Sequence, residues 1–346
     1  MSTSVKPLNS INPIDHRLSI APMLDWTDRH CRYFYRAMSQ QTVLYTEMVT
    51  TGAILHGKGD YLSYNNAEHP LVLQLGGSDV KAMTECAKVA EQFGYDEINI
   101  NVGCPSDRVQ NGRFGACLMA EPSLVAECLS EMQAATKVPV TVKSRIGIDD
   151  LDSYEFLHTF VEQVAQAGCQ HFIIHARKAW LSGLSPKQNR DIPPLDYSRV
   201  YQIKQDFPSL EISINGGIKT FAEANKHLEH IDGVMIGREI YNNPYLLAEA
   251  DQQIYGTEKE VISREQIIDL MADYVDAYVS SKLEHGNAQH NPRAWHVFRH
   301  MLGLCNGLAG ARQYRRYLSE SARQGDANGN TLKQAFAKVT VLNDKF

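Results

Sequence analysis

The sequence lacks several features that would assign it to common classes of protein. Its seven cysteines include no C-x-x-C pair, which argues against a disulfide framework and against a cysteine-based zinc site. No stretch approaches the ~18 consecutive apolar residues of a membrane span, and the first ten residues carry no long apolar run. We therefore expect a soluble, cytoplasmic protein with no export signal, no metal, no membrane partner and no obligate protein partner.

The chain also lacks a G-x-G-x-x-G motif after its first predicted strand, which excludes the usual open dinucleotide-binding sheet. Short apolar runs instead alternate with segments of helical spacing. The eight predicted strands are Ser19–Met23, Val43–Met48, Pro70–Leu75, Glu97–Val102, Pro139–Arg145, His171–Arg177, Glu211–Asn215 and Gly233–Arg238. Eight strand–helix units in succession predict an α/β fold, a (β/α)₈ TIM barrel.

Helix signals lie between these strands and continue after them. The predicted helices between strands are Asp79–Phe93, Ser123–Ala135 with Ser123 as its cap, and Tyr154–Ala167 ending at Gly168. After about residue 255 only helix signals remain: Ser263 and Gln266 form a capping box, and Asn291-Pro292 opens a helix through Trp295. We expect an N-terminal tail (1–16), a barrel (17–255) and a C-terminal helical domain (256–346).

Charge is distributed unevenly along the chain. Residues 286–346 hold nine Lys and Arg against three Asp and Glu, whereas the preceding 285 residues hold 25 against 37. A basic C-terminal part on an acidic body indicates a polyanionic partner bound by that part. The same numbers also fit an ordinary distribution of surface charge, and charge alone does not separate the two.

In a barrel of this kind the active groups project from the C-terminal ends of the strands. Nearly every predicted strand here ends in a polar or reactive residue. These strand-end residues are Pro22 and Met23, Glu47, Gln74, Asn101 with Cys104, Lys143 with Arg145, His175 with Arg177, Asn215-Gly216-Gly217, and Gly237-Arg238. One such residue means little, since a strand-end lysine is often a solvated rim residue, but together they predict a site.

Two of these groups suit a phosphate-bearing ligand. Asn215-Gly216-Gly217 and Gly237-Arg238 end the last two strands, where barrels often bind phosphate through glycine N–H groups and a cation. The alternative is a pair of turns that need positive φ. Lys143 and His175 would suit the pyrimidine edge of a flavin, although His175 also fits a buried core histidine.

Cys104 is the strongest catalytic candidate. It follows the alternating run Ile98–Val102, and Gly103 and Pro105 fix the turn that carries it. An ordinary thiol titrates near ~8.5, so at neutral pH it can donate a proton to carbon. Cys117, in a glycine-rich loop, is the rival thiol. The other interpretation is a buried apolar cysteine, which we assign to Cys86, Cys128, Cys169 and Cys305.

Basic residues outside the strands predict a second contact region. Arg312 and Arg315 lie three apart, so a helix presents them, with Arg316, on one face; Arg299 lies on the helix before. Such a face suits phosphate contacts but is equally typical of a solvated helix surface. A long polar loop after the sixth strand adds Lys187 and Arg190 at the same end of the barrel as the thiol.

Several segments together resemble one family, the tRNA-dihydrouridine synthases. These segments are Ala21-Pro22-Met23, NVGCPSDRV around Cys104, Lys143-Ser-Arg145, His175-Ala-Arg177, Asn215-Gly-Gly-Ile218 and Ile236-Gly-Arg238. The stretches HARKAWLSGLSPKQNRDIPPLDY and RHMLGLCNGLAGARQYRR are similar to the bacterial subfamily A. The resemblance covers roughly residues 17–320.

The resemblance implies an FMN-bearing barrel and a helical tRNA-binding domain. NADPH would reduce the flavin, which would pass hydride to C6 of a tRNA uracil while Cys104 protonates C5, mainly at D-loop positions 20 and 20a. Asn101 would contact the substrate nucleotide, and Arg177, Lys187, Arg190, Arg299, Arg312 and Arg315 would contact the tRNA. The residues implied to bind FMN are Ala21, Pro22, Met23, Gln74, Lys143, His175, Asn215, Gly216, Gly217, Gly237 and Arg238.

Three other functions compete with this one on the residues alone. A flavin barrel that acts on a small pyrimidine, as dihydroorotate dehydrogenases do, shares the cofactor argument but has no use for a basic helical tail. A phosphate-binding lyase or isomerase would be colourless. An RNA-binding chaperone on a barrel scaffold would tolerate replacement of Cys104.

Overall fold

A computed structural model of the protein describes residues 14–106, 112–281, 291–322 and 325–339. It contains eight parallel strands, in the order β1-β8-β7-β6-β5-β4-β3-β2. Their bounds are β1 Leu18–Ile20, β2 Leu44–Thr50, β3 Leu71–Gly76, β4 Glu97–Val102, β5 Val140–Arg145, β6 His171–His175, β7 Glu211–Asn215 and β8 Gly233–Ile236. All eight predicted strands are present, which confirms the TIM barrel.

The barrel closes between β1 and β2. Val43 bridges to Ser19 in parallel. The Ile20 N–H donates to the Val43 carbonyl at 2.9 Å, and the Val43 N–H donates to the Leu18 carbonyl at 3.0 Å. Because these bonds join the two ends of the sheet, every strand has two neighbours and no edge is left open.

The helices lie between the strands and beyond the last one. Those before residue 255 are α1 Arg29–Met38, α2 Thr51–His56, α3 Val80–Phe93, α4 Pro122–Ala135, α5 Tyr154–Gln166, α6 Tyr197–Asp206, α7 Phe221–Leu228, α8 Arg238–Asn242 and α9 Ala250–Gln253. Those after it are α10 Arg264–Ser280, α11 Trp295–Met301, α12 Ala311–Ser321 and α13 Gly329–Phe336. Among the described residues, no helix combines the length and apolar character needed to cross a membrane.

Two helix starts differ from the sequence prediction. Helix α4 begins at Pro122 with Glu121 at the N-cap, so Ser123 is not its cap; a proline fits the first helical position because its fixed φ and missing N–H do no harm there. Helix α11 begins at Trp295 rather than at Pro292. The His296 N–H donates to the Arg293 carbonyl at 3.0 Å, so a tight turn precedes the helix and Arg293 lies before it.

The C-terminal helices pack against the barrel through α1. Tyr33 of α1 stacks on Tyr274 of α10 with ring centroids 4.1 Å apart, and the Tyr274 hydroxyl lies 2.8 Å from Nδ1 of His30. The predicted capping box of α10 is present, with Gln266 N–H donating to Ser263 Oγ at 3.2 Å and Ser263 N–H to Gln266 Oε1 at 2.9 Å. The contact with α1 fixes where the basic helices stand relative to the barrel.

Asp28, the N-cap of α1, makes the main polar contact between the two parts. Its carboxylate accepts from the His30 and Cys31 backbone N–H groups at 2.9 and 3.0 Å. It also pairs with Arg299 and, at 3.0 Å, with His300 of α11. Burial alone would raise the pKa of Asp28, but the hydrogen bond from His300 holds it well below its ordinary value.

The barrel interior differs from the layer outside it. The side chains between strands and helices are mainly apolar, with a few buried polar groups among them, such as Arg32 and Arg36 of α1. Inside the barrel, a small apolar cluster of Tyr45, Val72, Ile173 and Met235 lies beside a series of polar side chains from β3, β4 and β5. Since strand side chains alternate, the polar members of Ile98–Val102 point inward and the apolar ones pack on the helices.

Candidate active site

Cys104 lies on a turn that its own strand holds in place. The Asn101 Oδ1 accepts from the N–H of Gly103 at 3.1 Å and from that of Cys104 at 3.0 Å. The Cys104 carbonyl accepts from the Ala116 N–H at 2.9 Å. The thiol itself is partly exposed, with Sγ 3.6 Å from Ser106 Oγ. The remaining part of the predicted motif, Asp107, Arg108 and Val109, lies outside the described residues.

Arg145 connects this turn to the loop after β6. Its Nε donates to the Gly103 carbonyl at 2.9 Å, and its Nη1 donates to the carbonyls of Lys178 at 3.0 Å and Asn189 at 3.1 Å. The side chain is only 3% exposed. Sequence reasoning placed Arg145 at a strand end but gave it no role, because its three acceptors are backbone groups that leave no sequence signal.

A line of hydrogen bonds runs from the turn into the barrel. Asn101 Nδ2 donates to Gln74 Oε1 at 2.8 Å, and Gln74 Nε2 donates to Asn99 Oδ1 at 2.8 Å. Asn99 Nδ2 donates to Thr141 Oγ1 at 2.9 Å, and that hydroxyl donates to Glu97 Oε1 at 2.7 Å. Each amide is thereby oriented by its neighbours.

This line bears on two predicted ligand contacts. Gln74 is 1% exposed and Asn101 is 8% exposed, and both side chains already have partners inside the protein. Asn101 is first of all a positioning residue for the Cys104 turn. The contact of Gln74 with the flavin and that of Asn101 with the substrate nucleotide stay predictions. Each would have to be made by an amide group that already takes part in this line of hydrogen bonds.

The barrel mouth is rich in buried cationic and basic groups. Lys143 Nζ donates to Asn215 Oδ1 at 3.1 Å, and Asn215 Nδ2 donates to the Met235 carbonyl at 2.8 Å. Burial, followed by the charge of Arg145, lowers the pKa of Lys143 to about 7. Burial and then the charges of Arg145 and Lys143 hold the pKa of His175 well below its ordinary value, so its ring is neutral.

The glycines after β7 have the conformation that only glycine adopts without strain. Gly216 has φ +122° and Gly217 has φ +77°. A Cβ on Gly216 would lie 2.8 Å from His175 Cδ2, and one on Gly217 would lie 2.6 Å from Leu195 Cδ1. After β8, a Cβ on Gly237 would lie 3.3 Å from the Cβ of Ala21. The turn interpretation therefore holds for Gly216 and Gly217, which lie close against His175 and Leu195; phosphate binding at these backbones stays a prediction.

Two arginines complete this side of the mouth. Arg238 pairs with Asp191 at 2.8 Å. Arg177 donates through Nη1 to the Pro193 carbonyl, but its buried Nε has no hydrogen-bond partner among the described residues. A buried N–H without an acceptor is rare in a folded protein. An anionic ligand at the mouth would supply the missing acceptor.

The Ala21-Pro22-Met23 segment follows β1 at the same end of the barrel. The Met23 N–H donates to Thr27 Oγ1 at 3.0 Å, which fixes the turn. Beyond it Leu24 is 61% exposed, and Ile192 of the β6 loop is 57% exposed. Sequence reasoning missed both, since only the fold shows that they are apolar side chains left open to solvent.

The other cysteines divide as expected. Cys86, Cys128, Cys169 and Cys305 are buried, as is Cys31. Cys117, the rival thiol, is partly exposed, and its Sγ lies 3.2 Å from the Phe114 carbonyl. Burial, followed by the charge of Glu121, raises its pKa. The raised pKa keeps the Cys117 thiol protonated, and its hydrogen bond to the Phe114 carbonyl holds that proton within its own loop.

The predicted tRNA contacts have different environments. Lys187 and Arg190 are exposed on the β6 loop, which is anchored by buried Asn189 through the Trp180 N–H at 2.8 Å. Arg299 is held by Asp28 at the contact with α1. The predicted phosphate contact of Arg299 therefore competes with its role in attaching α11 to α1.

The arginines of α12 are more accessible. Arg312 is exposed and makes no hydrogen bond or ion pair with the described part of the chain. Arg315 is exposed and donates to Asn306 Oδ1 at 2.7 Å, while Arg316 pairs with Glu320 at 2.7 Å. Arg312 and Arg315 are thus the two arginines of α12 that have no carboxylate partner in the described residues.

Comparison with known proteins identifies the family. The dihydrouridine synthase (Dus) family matches residues 19–340. A tRNA-dihydrouridine(20/20a) synthase of Vibrio cholerae is 62% identical over 324 residues, 93% of this chain and 96% of that protein. Proteins of the same name from Shewanella oneidensis (60% identical; 96% of each chain) and Escherichia coli K12 (59% identical; 93% of this chain and 91% of that protein) are also similar.

The solved structure of a morphinone reductase is similar at a TM-score of 0.47, with 12% identity over 72% of this chain and 88% of that one. The extent of the family match, together with the barrel that carries Cys104 after β4, settles the class: the chain belongs to the dihydrouridine synthase family. The resemblance read from the sequence is confirmed, whereas the role of each site residue stays a prediction.

Replacing Arg145 tests its positioning role. In Arg145→Met the carbonyls of Gly103, Lys178 and Asn189 lose their donor, and a lost hydrogen bond of this kind is worth about 1–1.5 kcal/mol. We expect amide hydrogen exchange to accelerate by roughly tenfold in residues 103–106 and 178–190 together. Arg29→Met is the matched control, because Arg29 pairs with Asp60 on the surface at 3.3 Å. Unchanged exchange in both segments would show that Arg145 does not fasten them.

Proposed function

We propose that this protein reduces the C5–C6 double bond of uridines in the tRNA D-loop, at positions 20 and 20a, to 5,6-dihydrouridine, with bound FMN and with NADPH as the electron donor. The observation that carries the proposal is a partly exposed thiol, Cys104, held on a turn by Asn101 at a mouth where four cationic side chains act on His175. The names of the relatives above supply the substrate positions.

The residues at the mouth fit an anionic flavin cofactor. Lys143, Arg145, Arg177 and Arg238 all act on His175 through their charges, and the Arg177 Nε has no acceptor in the described residues. The paired glycines 216 and 217 and the start of α8 at Arg238 suit its phosphate. Lys143 suits the pyrimidine edge, where a cation stabilises negative charge. Bound FMN would supply the hydride that reaches C6 of the uracil ring.

The chain's own residues then perform the rest of the reaction. The Cys104 thiol donates its proton to C5, and the Asn101 and Arg145 hydrogen bonds keep that thiol at one place. Neutral His175 would donate a hydrogen bond to the flavin without adding a second positive charge beside Lys143. A base must leave its stack to reach this mouth, and the exposed side chains of Leu24 and Ile192 offer it apolar contact.

The tRNA body would rest on the helical part. Arg312 and Arg315 on α12, with Lys187 and Arg190 on the β6 loop, present cations without carboxylate partners in the described residues. Phosphate contacts of this kind set affinity and register, whereas the flipped base is recognised at the mouth. Separating the two explains how one mouth can act on two neighbouring uridines of the same loop.

Anaerobic reoxidation of the flavin tests the function directly. The purified holoenzyme is reduced with NADPH, and flavin absorbance is followed after addition of unmodified tRNA, free uridine or orotate. We expect rapid reoxidation by tRNA alone. Reoxidation by orotate or uridine, with no response to tRNA, would assign the protein to small pyrimidines instead. A purified protein without a flavin spectrum would overturn the cofactor assignment.

In the same assay Cys104→Ala separates proton donation from the electron steps. The variant should keep its flavin and accept electrons from NADPH at the wild-type rate. Its reoxidation by tRNA should fall by about 10²–10⁴-fold, the usual contribution of a positioned acid. Cys117→Ala is the control and should behave as wild type. A variant at position 104 that loses flavin, or that keeps full turnover, contradicts the role of the thiol.

The lowered pKa of Lys143 predicts a pH dependence of FMN affinity. In flavin-free protein Lys143 loses its proton as pH rises through about 7, well below the ordinary 10.5. Pairing with an anion raises that pKa, so binding above pH 7 takes up a proton and affinity falls as pH rises, by at most about tenfold per pH unit. Flavin fluorescence quenching between pH 7.5 and 9, on wild type and on a Cys104→Ala background, measures the slope.

Lys143→Met provides the control for this slope. The variant should bind FMN more weakly at pH 7 and with little change up to pH 9, because it has no proton to take up. A wild-type affinity that is equally flat would show that Lys143 does not change its protonation when the flavin binds.

Arg312 and Arg315, which have no carboxylate partner in the described residues, lead to a prediction for the salt dependence of tRNA binding. Arg312→Ala with Arg315→Ala should weaken tRNA binding and reduce the slope of log affinity against log salt by about one to two units. Flavin content should not change. Arg316→Ala is the matched control on the same helix, since Arg316 already pairs with Glu320. Equal slopes in all three proteins would remove α12 from the tRNA interface.

A further inference from the structure

A cluster of histidines and carboxylates lies at the end of the barrel opposite the mouth. Its members come from the starts of four strands or the residues before them: His16 precedes β1, Glu97 begins β4, His171 begins β6 and Glu211 begins β7. His16 is 7% exposed, Glu97 1% and His171 3%. Glu97 ends the hydrogen-bond line described above through Thr141, whereas His16, His171 and Glu211 take no part in it. The sequence predicted no metal and placed residue 16 in a tail.

The two imidazoles are held in the same way. His16 Nε2 is bonded to Glu97 Oε2 at 2.9 Å, and His171 Nε2 is bonded to Ser213 Oγ at 2.9 Å. The rings lie with their centroids 4.1 Å apart. A histidine that binds a metal typically has its other nitrogen fixed by a carboxylate, a carbonyl or a similar group. The Nε2 atoms have such partners here, which leaves the Nδ1 atoms for a ligand.

The Nδ1 atoms meet a carboxylate. His16 Nδ1 lies 2.9 Å from Glu211 Oε1, whereas the buried His171 Nδ1 makes no hydrogen bond in the described part of the chain and lies 4.0 Å from Glu97 Oε2. One ligand atom from each of His16, His171 and Glu211 lies within 4.8 Å of the other two. Metal–ligand bonds of about 2.0–2.2 Å separate neighbouring ligand atoms by roughly 3–3.5 Å. Small side-chain rotations would close this set on an ion.

Charge at the cluster also favours a divalent cation. Glu97 and Glu211 both bond to His16, and Glu97 Oε2 also lies 4.0 Å from His171 Nδ1, so neutral imidazoles would leave the charges of both carboxylates uncompensated. The nearest cations along the chain are already used: Arg17 pairs with Asp15 at 2.6 Å, and Lys204 pairs with Asp232 at 2.8 Å. A buried group without a compensating charge is unfavourable. A divalent ion between neutral imidazoles would balance both carboxylates.

We propose that His16, His171 and Glu211 bind a divalent first-row transition metal such as Zn²⁺ at the base of the barrel, with Glu97 and Ser213 orienting the two imidazoles. Two imidazoles and a carboxylate are a ligand set typical of this group of metals. The ion would tie the segment before β1 to β6 and β7, and its role is structural because the N-terminal face of such a barrel serves stability. Glu211 is only half-buried, which leaves the ion a route of entry.

Cobalt serves as the spectroscopic probe. Holoenzyme is treated with a chelator, dialysed and titrated with Co²⁺, on the Cys104→Ala background so that the exposed thiol does not compete. We expect one equivalent to bind with visible d–d bands and without the near-ultraviolet band of a thiolate ligand, and Zn²⁺ to displace it. The midpoint of thermal unfolding should rise with Zn²⁺ concentration, as for any ligand that binds only the folded state.

Variants distinguish this cluster from other sites. Glu211→Gln and His171→Gln should each lose the cobalt bands and the stabilisation by zinc. The control is His69→Gln, which removes another histidine paired with a carboxylate, Asp96 at 2.6 Å, and it should bind cobalt as the parent does. Equal cobalt binding by all of these proteins, or none by the parent, overturns the proposal in favour of a protonated His16 shared by two carboxylates.

X-ray absorption on the zinc-loaded parent protein gives an answer that needs no variant to fold. A nitrogen and oxygen shell with two imidazole scatterers supports the site. A sulfur shell places the ion on cysteines and overturns it. Because these measurements report binding and stability, they can fail while flavin reoxidation by tRNA succeeds, and the reverse also holds.

Discussion

The position of the thiol depends on one strand whose inward face is polar. Glu97, Asn99 and Asn101 alternate along β4 and all point into the barrel, where each must find hydrogen-bond partners because water is excluded. Neighbouring strands supply them through Gln74 and Thr141. The side-chain oxygen of the last member, Asn101, accepts hydrogen bonds from the turn that follows and so fixes the backbone of Cys104. A shift of this strand by one residue would break this line of hydrogen bonds and would misplace the Cys104 thiol at the same time.

The mouth gains its chemistry from groups that a protein selected for stability alone would not place together. Lys143 and His175 are adjacent to Arg145, and burial and mutual repulsion lower the pKa of both. Such repulsion opposes folding of the empty barrel and is relieved when an anion binds. A ligand with negative charge at two places, such as a phosphate and a ring edge, would therefore stabilise the folded barrel when bound.

The sequence predicted what depends on local pattern. All eight strands were found because alternation and strand-end residues are visible along the chain, and the family followed from motifs at those ends. Contacts that join distant elements were not predictable: Arg145 binds three carbonyls from two loops, and His16 meets carboxylates 81 and 195 residues away. The predicted start of α11 was wrong because a proline fits a turn before a helix as well as the first turn of the helix.

The placement of the helical part depends on how it is attached to α1. Asp28 caps α1 directly after the turn that carries Met23, and the same carboxylate holds Arg299 and His300 of α11. One buried charge therefore sets both a wall of the mouth and the distance to the basic helix α12. Because Arg299 donates through Nε to His300 and through Nη2 to Asp28, a phosphate could engage it without disturbing this junction only through its remaining donors. Arg312 and Arg315 have no carboxylate partner in the described residues, so under the proposed function they are the cations of α12 that a tRNA phosphate could reach without breaking an ion pair.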